Sequence, residues 1–357
     1  MTMDKYKIDS HKLIYHIPRV NDWLEGRIVY PVYMEVSPAG MCNHRCSFCG
    51  LDFMDYQKRF LDTEIFKQRL SELGGLGLKS IMYSGEGEPF LHKDISDIIL
   101  HTKKSGIDVA ITTNGVVMNE DISERILGSV EWIKVSFNAG TKETYSSIHN
   151  AKQADFDKVI SNLAGAVKIK KDNAYKCTLG MQLLLLPENQ DEVLTLAGIA
   201  RDIGIDYLVI KPYSQHPQSK TGQYRDVSYK NLTHLAEELE KISNEDFDIV
   251  FRANTMGKWN EKNRRYSRCL GLSFWSYIDA GGSVWGCSVY LEDKRFYYGN
   301  IYENSFMEIW EGDRRRESLQ WVESELDPEK CRVNCRMDEV NQYLWDLRNR
   351  PEHVNFI

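Results

Sequence analysis

Cys42, Cys46 and Cys49 stand at C-x3-C-x2-C spacing in the run MCNHRCSFCG, directly after an apolar, strand-like segment. Thiolates are soft ligands suited to iron–sulfur chemistry, and so short a loop can bring three of them to one face of a cluster. Three thiolates on a four-iron cluster leave one iron open to a further ligand. Zinc is the alternative, because His44 lies inside the run, although zinc sites usually pair C-x2-C motifs across a longer span. A disulfide is disfavoured, since no apolar segment of signal-peptide type opens the chain.

Four further cysteines, Cys269, Cys287, Cys331 and Cys335, fall in the last hundred residues, and Cys177 stands apart. This division predicts two clusters and one bystander. Four thiolates saturate a four-iron cluster, which suits electron transfer better than substrate ligation, with a zinc or purely structural site as the alternative. The other candidates sit at the ends of strand-like runs. SGEGEP (84–89) offers glycines that let backbone approach a ligand and a glutamate that can accept from an ammonium. Ser136 and Asn138 present a hydroxyl and an amide, and Asn114 is a site residue or a turn residue before Gly115. Gln182, polar within an apolar strand, is expected to point inward; Cys177, five residues earlier, then faces the opposite side as a packed thiol.

These residues need a frame that presents strand ends together. From Pro31 to Pro212, short β-rich runs alternate with amphipathic helical stretches, which predicts an α/β parallel architecture. Six strands are expected, at 31–37, 80–85, 108–115, 131–138, 177–186 and 206–213. The polar stretch 214–228 predicts a linker or mobile loop. The expected division is 1–30 as an N-terminal extension, 31–213 as the core, 214–250 as linker and helix, 251–340 as a cysteine-bearing domain and 341–357 as a tail.

Composition narrows the function. A net charge of −7 argues against a broad nucleic-acid footprint, and Arg314 to Arg316 form the only tight basic run. No apolar stretch approaches a membrane span, so a cytoplasmic location with no membrane partner is expected.

The cysteine run, with Phe48 before its last cysteine, resembles the signature of the radical S-adenosylmethionine (radical SAM) superfamily. SGEGEP is similar to the GGEP element of that family with one residue inserted, and Cys269-x12-Gly282-x4-Cys287 resembles the opening of its SPASM and twitch domains. The resemblance implies an open, partial (β/α)6 barrel with a small C-terminal twitch domain and the active site at the C-terminal strand ends. It implies SAM bound through its amine and carboxylate to the open iron, with Phe48 on the adenine. Gly87 and Glu88 would meet the SAM amino group, with Glu86 the alternative register, and Ser136, Asn138 and Gln182 would contact the rest of the cofactor. Too few cysteines follow Cys287 for a full SPASM domain, so two [4Fe–4S] clusters in all are implied; the last pair is C-x3-C rather than C-x2-C, leaving open which is the final ligand.

The cysteine gaps are similar to those of the aminocyclitol dehydrogenases of the twitch class. That likeness implies a substrate-contacting role for Arg252, beside Lys211 and Tyr213 beyond the sixth strand, with His216 and Asp338 as further wall candidates. The implied activity is that of an oxidoreductase. SAM is cleaved to a 5′-deoxyadenosyl radical, with an electron donor such as flavodoxin or ferredoxin, and a carbinol of a small-molecule substrate (sugar, nucleotide sugar or aminocyclitol) is oxidised. The alternatives are a sugar epimerase, an iron–sulfur redox sensor, and a peptide-modifying maturase, against which the short stretch before the first strand counts.

Overall fold

The computed structural model describes residues 6, 10–230, 232–261 and 264–356. Ten strands form one sheet: β1 (Tyr33–Val36), β2 (Ser80–Tyr83), β3 (Asp108–Thr113), β4 (Trp132–Ser136), β5 (Thr178–Leu185), β6 (Tyr207–Pro212), β7 (Asp248–Phe251), β8 (Trp275–Ile278), β9 (Ser283–Trp285) and β10 (Tyr297–Asn300). Their order is β10-β9-β8-β1-β2-β3-β4-β5-β6-β7. From β1 to β7 each strand lies parallel to its predecessor, as helical crossovers require.

Strand alternation gives this sheet two chemically different faces. Met34, Val36, Ile81, Val109, Ile111, Ile133, Val135, Met181 and Ile210 pack in the main apolar core with Phe66, Ile98, Val159 and Leu196 of the crossover helices. The intervening residues, among them Glu35, Met82, Thr112, Lys134, Gln182 and Lys211, line a cavity on the other face. Cys177 lies in the apolar core, where burial pushes its thiol up to about 12.

The parallel run from β1 to β7 holds one strand more than the six expected from the sequence. β7 straddles the boundary at 250/251 expected between the linker-and-helix stretch and the cysteine-bearing domain, and pairs with β6 from Tyr207↔Asp248 to Ile210↔Phe251. The cysteine-bearing segment joins the same sheet, since β8 pairs parallel with β1 and carries the antiparallel β9 and β10. Stretch 214–228 is no free linker. It packs over the first cysteine loop, with Ser219 Oγ donating to Cys49 O at 3.1 Å and the Lys220 and Thr221 N–H groups donating to the Asp52 carboxylate at 2.9 and 3.1 Å.

The two ends of the chain close the second core. Leu13, Val20 and Trp23 pack with Leu270, Phe274, Cys287, Val340 and Leu344, the last two in the helix Asp338–Arg348. Glu86 pins this region to the strand ends: Arg59 Nη2 donates to its Oε2 at 2.6 Å and the Ala280 N–H to its Oε1 at 2.8 Å. Removing one partner of a buried ion pair strands the other charge. Arg59→Met should therefore lower stability by about 2–4 kcal/mol, somewhat less than for a fully buried pair because the guanidinium is partly exposed. Chemical denaturation would measure it, and an unchanged midpoint would contradict the pinning role.

Candidate active site

The first cysteine loop is held against the end of β2 by backbone. The Glu88 N–H donates to Met41 O at 2.9 Å, and a Cβ at Gly87 would lie 2.1 Å from Met41 O and 2.6 Å from Ala39 O, so only glycine fits. Asn114 Nδ2 donates to Asn43 Oδ1 at 2.7 Å, tying the end of β3 to the middle of the same loop. Arg45 stacks on Tyr56 with its guanidinium carbon 4.1 Å from the ring centre.

Cys42, Cys46 and Cys49 all open on the cavity. Burial pushes the Cys42 thiol up to about 12 and Cys46 well above its ordinary value, and the neighbouring thiols push both further. Three mutually repelling buried thiolates need a multivalent cation, so the donor set fits a metal cluster. Cys46 Sγ also lies 3.2 Å from His149 Nδ1, while His149 Nε2 donates to Phe137 O at 2.9 Å. Ligand atoms of His44, Cys46 and His149 fall within 4.8 Å of one another. Both rings are kept neutral chiefly by burial, His149 down to about 3. Cys46 cannot serve this histidine set and the three-thiol set at once, so the two exclude each other.

Glu88, not Glu86, reaches the cavity wall. Its Oε1 accepts from Thr113 Oγ1 at 2.6 Å and Phe90 N at 3.2 Å, and its Oε2 from Asn114 N at 2.8 Å. Burial pushes the Glu88 carboxyl up while these neutral donors pull it back. No cation pairs with it among the described residues, which leaves an acceptor suited to an ammonium. Phe48, Gly87, Ser136 and Gln182 share the same wall.

Asn138 departs from the expectation and does not line the cavity. It is fully buried at a left-handed φ of 61°, its Oδ1 accepts from Leu184 N at 2.7 Å, and its carbonyl accepts from Asn189 Nδ2. The chain turns sharply at the end of β4, so the side chain folds back onto β5.

The substrate-side candidates divide similarly. Lys211 and Arg252 face the cavity, as does Lys134, which sequence reasoning missed because one lysine in a strand reads as solvent-facing. Tyr213 lines the wall, but its hydroxyl donates to Gln215 Oε1 at 3.1 Å and its ring packs among Tyr224 and Trp259. His216 stacks on Phe53 at 5.0 Å and is kept neutral by burial, down to about 4. Asp338 is occupied by Lys258 Nζ at 2.6 Å and Tyr266 OH at 2.9 Å.

In the second cysteine set, Cys335 and Cys331 both act on Cys269, and Cys335, Cys269 and Cys331 on Cys287, so all four thiols converge. Tyr290 OH lies 3.0 Å from Cys331 Sγ, and Asn341 Nδ2 donates to Cys269 Sγ at 3.6 Å. Such donors are the usual outer partners of cluster thiolates. Cys287 and Cys335 line the same cavity as Cys42, Cys46 and Cys49, and that cavity encloses about 910 Å³.

The Radical SAM superfamily model matches residues 36–199, and the iron–sulfur cluster-binding SPASM model matches residues 269–336. The GTP 3′,8-cyclase of Chlorobaculum tepidum is 24% identical over 222 residues, spanning 59% of this chain but only 64% of the cyclase. The AdoMet-dependent heme synthase of Methanosarcina barkeri is 23% identical over 327 residues, 87% of this chain and 88% of the synthase. Among solved structures, Streptococcus suis SuiB bound to precursor peptide SuiA superposes with a TM-score of 0.64 at 16% identity, over 84% of this chain and 69% of SuiB. Native anSMEcpe with bound AdoMet gives 0.58 at 17% identity, over 82% and 84%. The two matched regions coincide with the two cysteine sets and the sheet between them: the chain carries a radical SAM domain over residues 36–199 and a C-terminal SPASM-type iron–sulfur domain over residues 269–336.

Proposed function

We propose that the protein uses SAM-dependent radical chemistry to oxidise a carbinol carbon of a small polyhydroxylated substrate, such as a sugar, nucleotide sugar or aminocyclitol. The observation that supports this reading is the single cavity of about 910 Å³ shared by both cysteine sets, a common chamber for hydrogen removal and electron removal. When bound, SAM and the two clusters supply a hydrogen-atom acceptor and a one-electron sink. Loss of a hydrogen atom, a proton and an electron from CH–OH leaves a ketone.

The residues of this chain hold and orient. Cys42, Cys46 and Cys49 are assigned to the SAM-binding cluster and Cys269, Cys287, Cys331 and Cys335 to the auxiliary one. Glu88 takes the SAM ammonium, Gly87 lets the backbone approach, and Phe48, Ser136 and Gln182 contact the remainder; Asn138 fixes the β4 end behind them. Lys211 and Arg252 face the substrate, where a cation beside the hydroxyl favours its oxyanion and so the departure of its proton. Tyr213 shapes the wall rather than moving a proton, because its hydroxyl is already donated to Gln215.

Glu88→Gln keeps the shape and removes the charge. A lost charged hydrogen bond is worth about 1.5–3 kcal/mol, so SAM should bind roughly 10- to 100-fold more weakly, read by calorimetry on reconstituted protein. Unchanged affinity would remove Glu88 from the cofactor site.

The reaction type is tested by anaerobic turnover of candidate carbinols in deuterated water. The expected product is a ketone with one 5′-deoxyadenosine per turnover, and a Cys177→Ser variant remains active because that thiol lies in the core. Solvent deuterium at the abstracted carbon would establish epimerisation. Turnover of peptides alone, the ligand class named for the SuiA-bound neighbour, would replace the carbinol substrate.

A further inference from the structure

Five basic side chains line the cavity, and one of them, Arg332, reaches the first cysteine loop, where its guanidinium would lie 3.8 Å from a Cβ at Gly50. Lys134 rises from β4, Lys211 from β6, Arg252 follows β7, and Arg332 and Arg336 enter from the auxiliary domain. Register places the first three on one concave face: Lys134 is opposite Gly180, Lys211 opposite Leu184, and the Arg252 N–H bonds Ile210 O at 3.0 Å. No side chain can intervene at Gly180, where the Tyr207 ring would lie 2.2 Å from an added Cβ.

The carboxylates of this wall are already engaged. Glu35 pairs with Arg336, and Asp338 and Glu339 pair with Lys258. Among the described residues the hydrogen bonds of the Arg332 guanidinium go to neutral acceptors, Ser214 O at 2.8 Å through Nη2 and Ser214 Oγ at 2.8 Å through Nε. The Lys134 and Lys211 side chains make no hydrogen bond or salt bridge among the described residues; the Lys134 ammonium merely stands 5.6 Å from the Trp132 ring centre. Burial and the surrounding cations push the Lys134 ammonium down to about 7 and Lys211 well below its ordinary value. Gathering like charges out of water is costly unless an opposite charge joins them. Oxidising a carbinol calls for one nearby cation, and this wall supplies several more.

Resting on the assignment of this chamber to the substrate, we infer that the substrate carries an oxyanion substituent, a phosphate or a carboxylate, seated by Lys134, Lys211 and Arg252 with Arg332 beside them. A planar guanidinium grips two oxygens at once, while the two lysines act as point charges, a set suited to either anion.

The test is calorimetric titration of the SAM-loaded, two-cluster holoenzyme with inorganic phosphate, inorganic pyrophosphate, citrate and neutral glucose. The phosphates and the carboxylate should separate the two sources, and at least one should bind while glucose does not. The pair Lys134→Gln and Lys211→Gln should weaken that binding at least about tenfold, and the corresponding pair of Arg substitutions should restore most of it. Iron content identifies folded variants; if the double Gln variant loses iron, Arg252→Gln is read instead, with the same tenfold expectation. An oxyanion that binds no better than glucose, or that binds the folded Gln variant as it binds wild type, overturns the inference. The underlying reading is judged separately by 5′-deoxyadenosine formation in the same preparation. SAM cleavage without oxyanion binding rejects only the anion site, whereas oxyanion binding without SAM cleavage rejects the oxidation reading and upholds the anion site.

Discussion

Gly87→Ala should abolish reductive SAM cleavage, lowering 5′-deoxyadenosine formation by at least about a hundredfold. The added methyl would stand 2.1 Å from Met41 O and 2.6 Å from Ala39 O, distances no real Cβ adopts. The obstacle is backbone on both counts, so no side-chain rotation relieves it. Relief must come from moving the segment that leads into Cys42, or from breaking the Glu88 N–H bond to Met41 O. Either displaces a cysteine from its partners, and a displacement of about 1 Å at a reacting centre costs on the order of a hundredfold. Iron analysis distinguishes the routes: loss of about four irons per chain means the cluster is not held, full iron with no cleavage means SAM is misplaced. A Gly87→Ala protein that cleaves SAM at the wild-type rate would contradict the close-approach account.

The second large effect belongs to the auxiliary set. Replacing Cys269 and Cys287 by Ala should remove about half of the iron, from roughly eight to roughly four per chain, because four thiolates hold that cluster. Substrate oxidation should fall below detection while SAM cleavage persists, since none of the first three cysteines is touched. The packing in which Cys287 takes part includes Leu13, Phe274 and Leu344, so melting must be recorded beside turnover. A folded double variant that still oxidises substrate at full rate would show that the auxiliary cluster takes no part in the reaction.

The parallel core was legible because each of its first six strands is a run of apolar residues on its helix-facing side, bounded by polar turns, as in DVAITTNG and DYLVIKPY. β7 escaped notice because DIVF is four residues long and set among charges, which resembles a loop more than a strand. The pairing of β8 with β1 joins Tyr33 to Trp275, and nothing local to either segment selects that partner. Both cysteine sets stand out in the sequence through their spacing together with the likeness to the radical SAM and SPASM signatures. The cationic wall does not, because Lys134, Lys211, Arg252, Arg332 and Arg336 come from four separate stretches of chain and meet only through the register of β4 to β7 and the docking of the auxiliary domain. Asn138 shows the opposite failure, a polar residue at a strand end whose bonds turn out to serve the backbone of Leu184 and the side chain of Asn189.

The central claim is that Cys42, Cys46 and Cys49 create the SAM-cleaving centre while the second set serves the substrate from across the same chamber. Anaerobic assay of 5′-deoxyadenosine with dithionite and SAM tests it most directly, comparing wild type with a Cys42→Ala, Cys46→Ala, Cys49→Ala protein and with the Cys269→Ala, Cys287→Ala protein. The account predicts cleavage by wild type and by the second variant, and none by the first. Cleavage that survives in the first variant, or that is missing from wild type carrying its full iron, would contradict it.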